Sequence, residues 1–269
     1  MSNEYCALIT NLFKEPKFKN LENFLIKNST VSNDKFNIGL SDGFADYFNN
    51  NTITPDNWKL LCKWSAIDYG QAPTDSKEEF LPFCAIKGFG EFYTYGSVKE
   101  QRYILSVFQG AMNDRRWRIR EAVTMAFQRI ARNNFFSIKK IINKFYPDSN
   151  LLEKRAFITS LADPVILKKE SNVIFCLDLS EKILKEIMIL TPKELNSIEF
   201  KILSKSLESI LSIFVAYLPN EGFEMLKKFS IVSGDEKDIS RILKSNLGKV
   251  ILHKNYGDEV TEVFRLMNQ

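Results

Sequence analysis

The sequence contains little of the chemistry on which many enzymes and metal sites depend. His253 is the single histidine in 269 residues, and the four cysteines lie far apart with no Cys-x-x-Cys pair. Zinc sites need clustered ligands, and every Ser-His-Asp or Cys-His scheme would have to use the same histidine. We therefore predict no metal site and no cofactor, and we interpret the cysteines as small core residues in a reducing cytoplasm.

Long apolar runs are also absent. The longest stretch without a charged residue, from Ser209 to Asn220, has 12 residues, whereas a membrane-spanning helix needs about 20 apolar residues. The N-terminus lacks the basic region and the apolar core of a secretory signal. These features predict a cytoplasmic protein with no membrane partner.

Helical patterns extend along the whole chain, and no run of alternating β-branched residues lies between turn signals. Apolar residues recur at spacings of three and four, which is typical of amphipathic helices. Thr54-Pro55 has the pattern of an N-cap followed by proline, and Ser97 with Glu100 has that of a capping box. Asp114, Asp235 and Gly257-Asp258 mark further helix starts. The sequence therefore predicts an all-α chain of about a dozen helices.

The net charge of +4 is concentrated in one segment. Seven of the ten arginines fall between Arg102 and Arg132, a window with no lysine and only two acids, so the window carries +5 and the rest of the chain −1. A helical wheel places Ile119, Val123, Ala126 and Ile130 on the core face. It places Arg116 and Arg120 beside that face. Arg118, Arg129 and Arg132 fall on the far side, where a solvated face is the usual result.

Two segments suggest a repeat. Asp114 precedes Arg120 by six residues, Asp235 precedes Arg241 by six, and the two arginines are 121 residues apart. That distance is three units of roughly 40 residues, the period of HEAT-type helix pairs. Segment 114–123, DRRWRIREAV, resembles the start of the second helix of a HEAT repeat. Segments 128–130, 151–156 and 235–247 are similar to a poorly characterised group of bacterial HEAT-repeat proteins.

The resemblance covers roughly residues 95–268 and implies a fold. That fold is a right-handed α-α superhelix, or solenoid, of five or six HEAT-like helix pairs in one domain, residues 1–269. Residues 1–90 would be atypical N-terminal helices and 95–268 the recognisable repeats. Helices at 3–28 and 257–268 would cover the exposed ends.

The resembled group is related in fold to the HEAT-like alkylpurine DNA glycosylases, which implies an anion-binding site. In those enzymes an arginine near the start of such a helix holds the DNA backbone, and Arg120 stands in the matching place. The predicted nucleic-acid or anion contacts on the concave face are Arg115, Arg116, Trp117, Arg118 and Arg120. The alternative for Arg116 and Arg120 is a structural ladder of bonds to neighbouring repeats.

Catalysis has a weaker basis. The glycosylases use a Trp-Trp-Asp stretch on the preceding repeat, whose carboxylate stabilises a cationic sugar. Here residues 87–95 read KGFGEFYTY and offer only Glu91 as the candidate catalytic acid, with an exposed helix-end acid as its alternative reading. We expect a non-catalytic binding module for duplex DNA or an acidic protein. A DNA-repair glycosylase or lesion-recognition protein of the alkylation-damage type is the alternative, and a scaffold in a larger assembly is a third reading.

Overall fold

Helix accounts for 76% of the computed structural model. The structure describes residues 2–15, 17–30, 35–49, 53–232, 234 and 236–268, and within these ranges it contains no β-strand. Thr30 and Phe36 form one isolated antiparallel bridge. The predicted all-α class is therefore confirmed.

The chain divides into two compact units, residues 1–140 and 141–269. The described helices up to the boundary are α1 (Ser2–Phe13), α2 (Lys19–Lys27), α3 (Ile38–Asp46), α4 (Pro55–Ser65), α5 (Phe80–Phe92), α6 (Val98–Met112), α7 (Trp117–Asn133) and α8 (Phe135–Phe145), the last of which contains the boundary. Those beyond it are α9 (Leu151–Ser160), α10 (Glu170–Ile187), α11 (Pro192–Leu195), α12 (Ile198–Tyr217), α13 (Pro219–Val232), α14 (Lys237–Leu247), α15 (Val250–His253) and α16 (Gly257–Leu266).

Helix starts follow the local signals in the sequence. The Thr54 hydroxyl accepts a hydrogen bond from the Asn57 amide at 3.1 Å, with Pro55 at the first helical position. Ser97 and Glu100 form the predicted capping box of α6. Gly257, of the predicted Gly257-Asp258 start, is the first residue of α16. Asp235 lies outside the described residues, and α14 begins at Lys237.

In the first unit, α5 is the central helix, and all 13 of its residues are buried. Helices α1, α3, α5 and α7 contact one another in series, while α4 packs on α5 and α6 packs on α7. The closest approach joins Gly90 of α5 to Ala126 of α7, because a Cβ built on Gly90 would lie 2.5 Å from the Ala126 Cα. A residue without a side chain is needed at this crossing.

The second unit has two rows of contacting helices. One row consists of α9, α12 and α14, and the other of α10, α13 and α16, with α12 contacting both α10 and α13. The buried amide of Asn246 ties α14 to α12: it donates to the Leu207 carbonyl at 2.7 Å and accepts from the Ser212 amide at 2.8 Å. The described residues include no helix with the length and apolarity needed to cross a membrane.

Candidate functional site: the arginine helix

The predicted site lies around the N-terminal end of α7, where Arg116 is the N-cap residue. The Asp114 carboxylate accepts from the Arg116 amide at 2.7 Å and from Nε at 2.9 Å, so the side chain folds back on its own turn. Its Nη atoms donate to the carbonyls of Ile67, Asp68 and Ala72 at 3.0–3.2 Å. Arg116 is only 2% exposed, and its guanidinium fastens segment 67–72 to α7.

Arg118 is buried as well, which corrects the prediction of a solvated face. Its Nη1 pairs with Asp75 and lies 3.3 Å from Glu79 Oε2, and its guanidinium lies over the Phe36 ring at 4.6 Å. Phe36, Asp75 and Glu79 thus cover the side of α7 that the helical wheel leaves open. Asp75 has φ of +69°, a left-handed conformation that is uncommon outside glycine.

Glu79 is fully buried beneath Arg118. Burial raises the pKa of its carboxyl, and the opposing effects of the Asp75 amide and the Arg118 guanidinium do not cancel this rise. Glu79 Oε2 accepts from the Asp75 amide at 3.1 Å. Arg118 is therefore a structural cation that neutralises acids brought in from another part of the fold.

Arg120 closes the turn that precedes its own helix. Its Nη1 donates to the Asp114 carbonyl at 2.6 Å and to the Arg115 carbonyl at 3.2 Å. These bonds satisfy backbone oxygens of the loop between α6 and α7. Both hydrogen bonds direct the Arg120 side chain toward the backbone of the preceding turn.

A second group of charges connects the C-terminal half of α7 with α3 and α5. Arg129 contacts the carboxylates of Asp42, Asp46 and Glu91 at 2.6–2.7 Å. Asn133 donates to the other Glu91 oxygen at 3.2 Å. Glu91 is therefore a buried, ion-paired carboxylate, which corrects its reading as an exposed acid, and both of its oxygens are engaged.

Lys87 extends this network into the core. Its side chain is 1% exposed, and its ammonium lies 2.7 Å from Asp42 Oδ1 and donates to Ser41 Oγ at 2.7 Å. Burial lowers the pKa of Lys87 despite the neighbouring Asp42. Burial by itself would raise the pKa of Asp42, but the charges of Lys87 and Arg129 bring it below its ordinary value. The arrangement is an ion-pair network that joins three helices.

Two of the five predicted contact residues face solvent. Trp117 is 53% exposed. The Arg115 guanidinium stacks on the Tyr69 ring at 3.8 Å, and the Arg118 guanidinium lies 4.9 Å from the Trp117 ring. We call the three exposed residues Tyr69, Arg115 and Trp117 the Tyr69–Trp117 patch.

Sequence reasoning missed Tyr69 and four of the acids that neutralise the arginines, Asp42, Asp46, Asp75 and Glu79. Tyr69 lies in a loop, and no local pattern places it under Arg115. A signal did exist for the network, because Lys87 and Glu91 are the only charged residues of α5 and stand one helical turn apart. Two charges within an otherwise apolar helix indicate buried partners.

Metal ligands and the histidine were candidate sources of chemistry in the described part of the chain. It contains no group of three or more His, Cys, Asp or Glu residues placed to hold a metal ion. His253 is exposed at the end of α15. Cys84 and Cys176 are buried thiols, and burial raises the pKa of each, as fits core residues.

Searches against family models, curated proteins and solved structures found no match for this chain.

Proposed function

We propose that this chain is a non-catalytic binding module, built from HEAT-like helix pairs, that takes an acidic protein partner on the Tyr69–Trp117 patch. The HEAT-like part rests on the resemblance of residues 95–268. It is supported by the contacts between alternate helices in each unit, since stacked helix pairs pack in this way in repeat proteins. The right-handed superhelix belongs to the same proposal.

The observation on which this function rests is the contrast between Trp117 and its two neighbours. The Trp117 side chain is 53% exposed, while Arg116 and Arg118 are buried and ion-paired. The buried neighbours hold the backbone of Trp117 in place, so a partner would lose little entropy in fixing it. Burying the indole would contribute about 2 kcal/mol, and Trp, Tyr and Arg are the side chains enriched in interface hot spots.

Arg115 gives the patch its preference for an acidic partner. Its guanidinium is a planar fork of donors that fits a carboxylate in pairs. Stacking on Tyr69 at 3.8 Å limits its rotation while leaving its edges open. A cation stacked on Tyr69, two residues from an exposed indole, suits a partner surface that offers both an acid and an apolar cavity.

The nucleic-acid version of the prediction has less support. Arg116, Arg118 and Arg120 would have to leave carboxylates or carbonyls at the end of α7 before they could contact a phosphate. The glycosylase alternative meets the same difficulty, since Arg129 and Asn133 engage both Glu91 oxygens. We therefore propose the protein partner.

Site-directed crosslinking tests this function. The photoreactive amino acid replaces Gln71, which is exposed and two residues from Tyr69. In cells it should form a crosslink to a protein, and the crosslinked product should persist after nuclease treatment. Trp117→Ala in the same background should reduce the crosslink about tenfold, the loss expected for one interface anchor. Arg115→Ala should also reduce it.

Ile189→Ala is the matched control, because it removes another exposed apolar side chain and should leave the crosslink unchanged. A crosslink that persists in Trp117→Ala would contradict the proposed site. A nuclease-sensitive crosslink would replace the protein partner with nucleic acid.

A further inference from the structure

Two adjoining surface grooves in the second unit meet at Arg241. The first, of about 600 Å³, lies between α12 and α14, and its lining includes Lys201, Lys205, Arg241 and Ser245. The second, of about 380 Å³, runs along α14, and its lining includes Lys237, Ser240, Arg241 and Lys244. We call them together the α12–α14 groove.

The groove concentrates positive charge in a unit that is neutral overall. Residues 141–269 contain 18 basic and 18 acidic residues. The described residues that line the groove include five basic side chains but only two acids, Glu208 and Asp238, which leaves an excess of three positive charges. The basic residues lie on α12 and α14, which are separate in the sequence and in contact in the fold.

Arg241 organises the middle of the groove. Its guanidinium pairs with Glu208, donates to Asp238 Oδ1 at 2.7 Å and donates to Ser204 Oγ at 2.8 Å. These contacts hold α14 against α12 and use the two acids of the lining. The lysines are therefore the cations best placed to bind an anion.

The four lysines follow the two helices. Lys201 and Lys205 stand one turn apart on α12, about 6 Å along the axis, and Lys237 and Lys244 stand seven residues apart on one face of α14, about 10 Å. Lys205 lies 3.5 Å from Glu208 and is largely exposed. Lys201, Lys237 and Lys244 are exposed and make no ion pair with a described residue.

We propose that the α12–α14 groove binds a run of phosphate groups, either of a polyphosphate chain or of the backbone of a nucleic-acid strand. Lysine ammonium groups bind phosphate as point charges, and the hydroxyls of Ser240 and Ser245 line the same surface. Among the described lining residues the one aromatic side chain, Phe200, is buried. The groove therefore lacks a platform for bases and the exposed apolar anchors of a peptide site.

Binding by the full chain tests this proposal with three probes: tripolyphosphate, a mixed-sequence single-stranded oligonucleotide and a polyglutamate peptide. We expect the oligonucleotide to bind with a log–log salt slope of about −3, since four lysines contribute about 0.7 each. If only tripolyphosphate binds, the ligand of the groove is a polyphosphate chain. If only the oligonucleotide binds, the ligand is a nucleic-acid strand.

The groove variant K201Q/K205Q/K237Q/K244Q should lower the affinity about tenfold or more and flatten the salt slope. The control variant K168Q/K169Q/K182Q/K254Q removes four exposed lysines outside the groove, and with them the same total charge, so its affinity should stay within about twofold of the natural chain. Thermal melting should show that both variants are folded.

Three results would overturn the proposal. They are failure of both phosphate probes to bind, equal losses in the groove and control variants, and polyglutamate binding as tight as that of the phosphate probes. None of them depends on the Tyr69–Trp117 patch, so this site and the proposed partner site can fail separately.

Discussion

Arg115 and Arg116 are adjacent in the sequence and have opposite roles in the fold. Arg116 is buried and bonded to Asp114 and three backbone carbonyls, whereas Arg115 lies on the surface against Tyr69. No local pattern separates the two residues, because the difference comes from segment 67–72, which folds over one of them. Residue type alone therefore predicted an anion-binding surface at a place where three of the four predicted arginines bond to groups of the protein itself.

Lysine substitution should distinguish the two arginines. Arg116→Lys keeps the charge but loses the planar set of donors, so the free energy of unfolding should fall by about 2–4 kcal/mol. Arg115→Lys should change it by less than about 0.5 kcal/mol, as is usual for surface positions. Urea denaturation of both variants measures the difference, and equal losses would contradict the assigned roles.

Asp42 should make stability depend on pH in the acid range. A carboxyl whose pKa is lower in the folded chain stabilises the fold above its ordinary pKa of 3.8, and this contribution is lost as the pH falls through the folded value. The charged groups that face Asp42 are Lys87 and Arg129.

Asp42→Asn should therefore lower the free energy of unfolding at pH 7, by about 1–3 kcal/mol. This figure lies below that for a fully buried pair because the Asp42 side chain is 38% exposed. The difference between the natural chain and the variant should shrink as the pH drops below 3.8. A difference that is constant from pH 7 into this range would show that Asp42 acts through packing instead of charge.

At the scale of elements, local signals predicted helix starts better than the helical wheel predicted which side chains of α7 are buried. The Thr54 cap and the Ser97 capping box are confirmed, because a cap depends on residues within one turn. The wheel of α7 identified the core stripe of Ile119, Val123, Ala126 and Ile130, all of which are buried. It was wrong for Arg118 and Arg129, which are 8% and 11% exposed, since a wheel cannot show which distant segments cover the polar side of a helix.

The crossing of α5 and α7 depends on Gly90. Gly90→Ala should destabilise the chain by about 1–3 kcal/mol, because the new methyl group would overlap Ala126 and force the helices apart. Gly110→Ala is the control: nothing lies within 4 Å of its Cβ position, and its φ is not positive. That variant should stabilise α6 by about 0.5–1 kcal/mol. Thermal denaturation that ranks the two variants in the opposite order would refute the close contact.

At the scale of the whole molecule, charge along the chain differs from charge in space. Within the +5 window of residues 102–132, Arg118 and Arg129 pair with five acids from outside it: Asp42, Asp46, Asp75, Glu79 and Glu91. The second unit shows the reverse, since its equal numbers of acids and bases still leave a basic groove. Apolar periodicity and cap signals predicted the all-α class correctly, but the position of charge required the tertiary contacts.

Trp117, exposed two residues from Arg115, is the proposed anchor of a protein partner. The most direct measurement is the crosslinking yield from position 71, compared between the natural residue and Trp117→Ala at about 0.1 M and about 1 M salt, where the Debye length falls from about 10 Å to about 3 Å. We predict that Trp117→Ala removes most of the yield and that salt lowers it only modestly, because the contact is largely apolar with one charge. A yield that is indifferent to Trp117 and abolished by salt would contradict the claim.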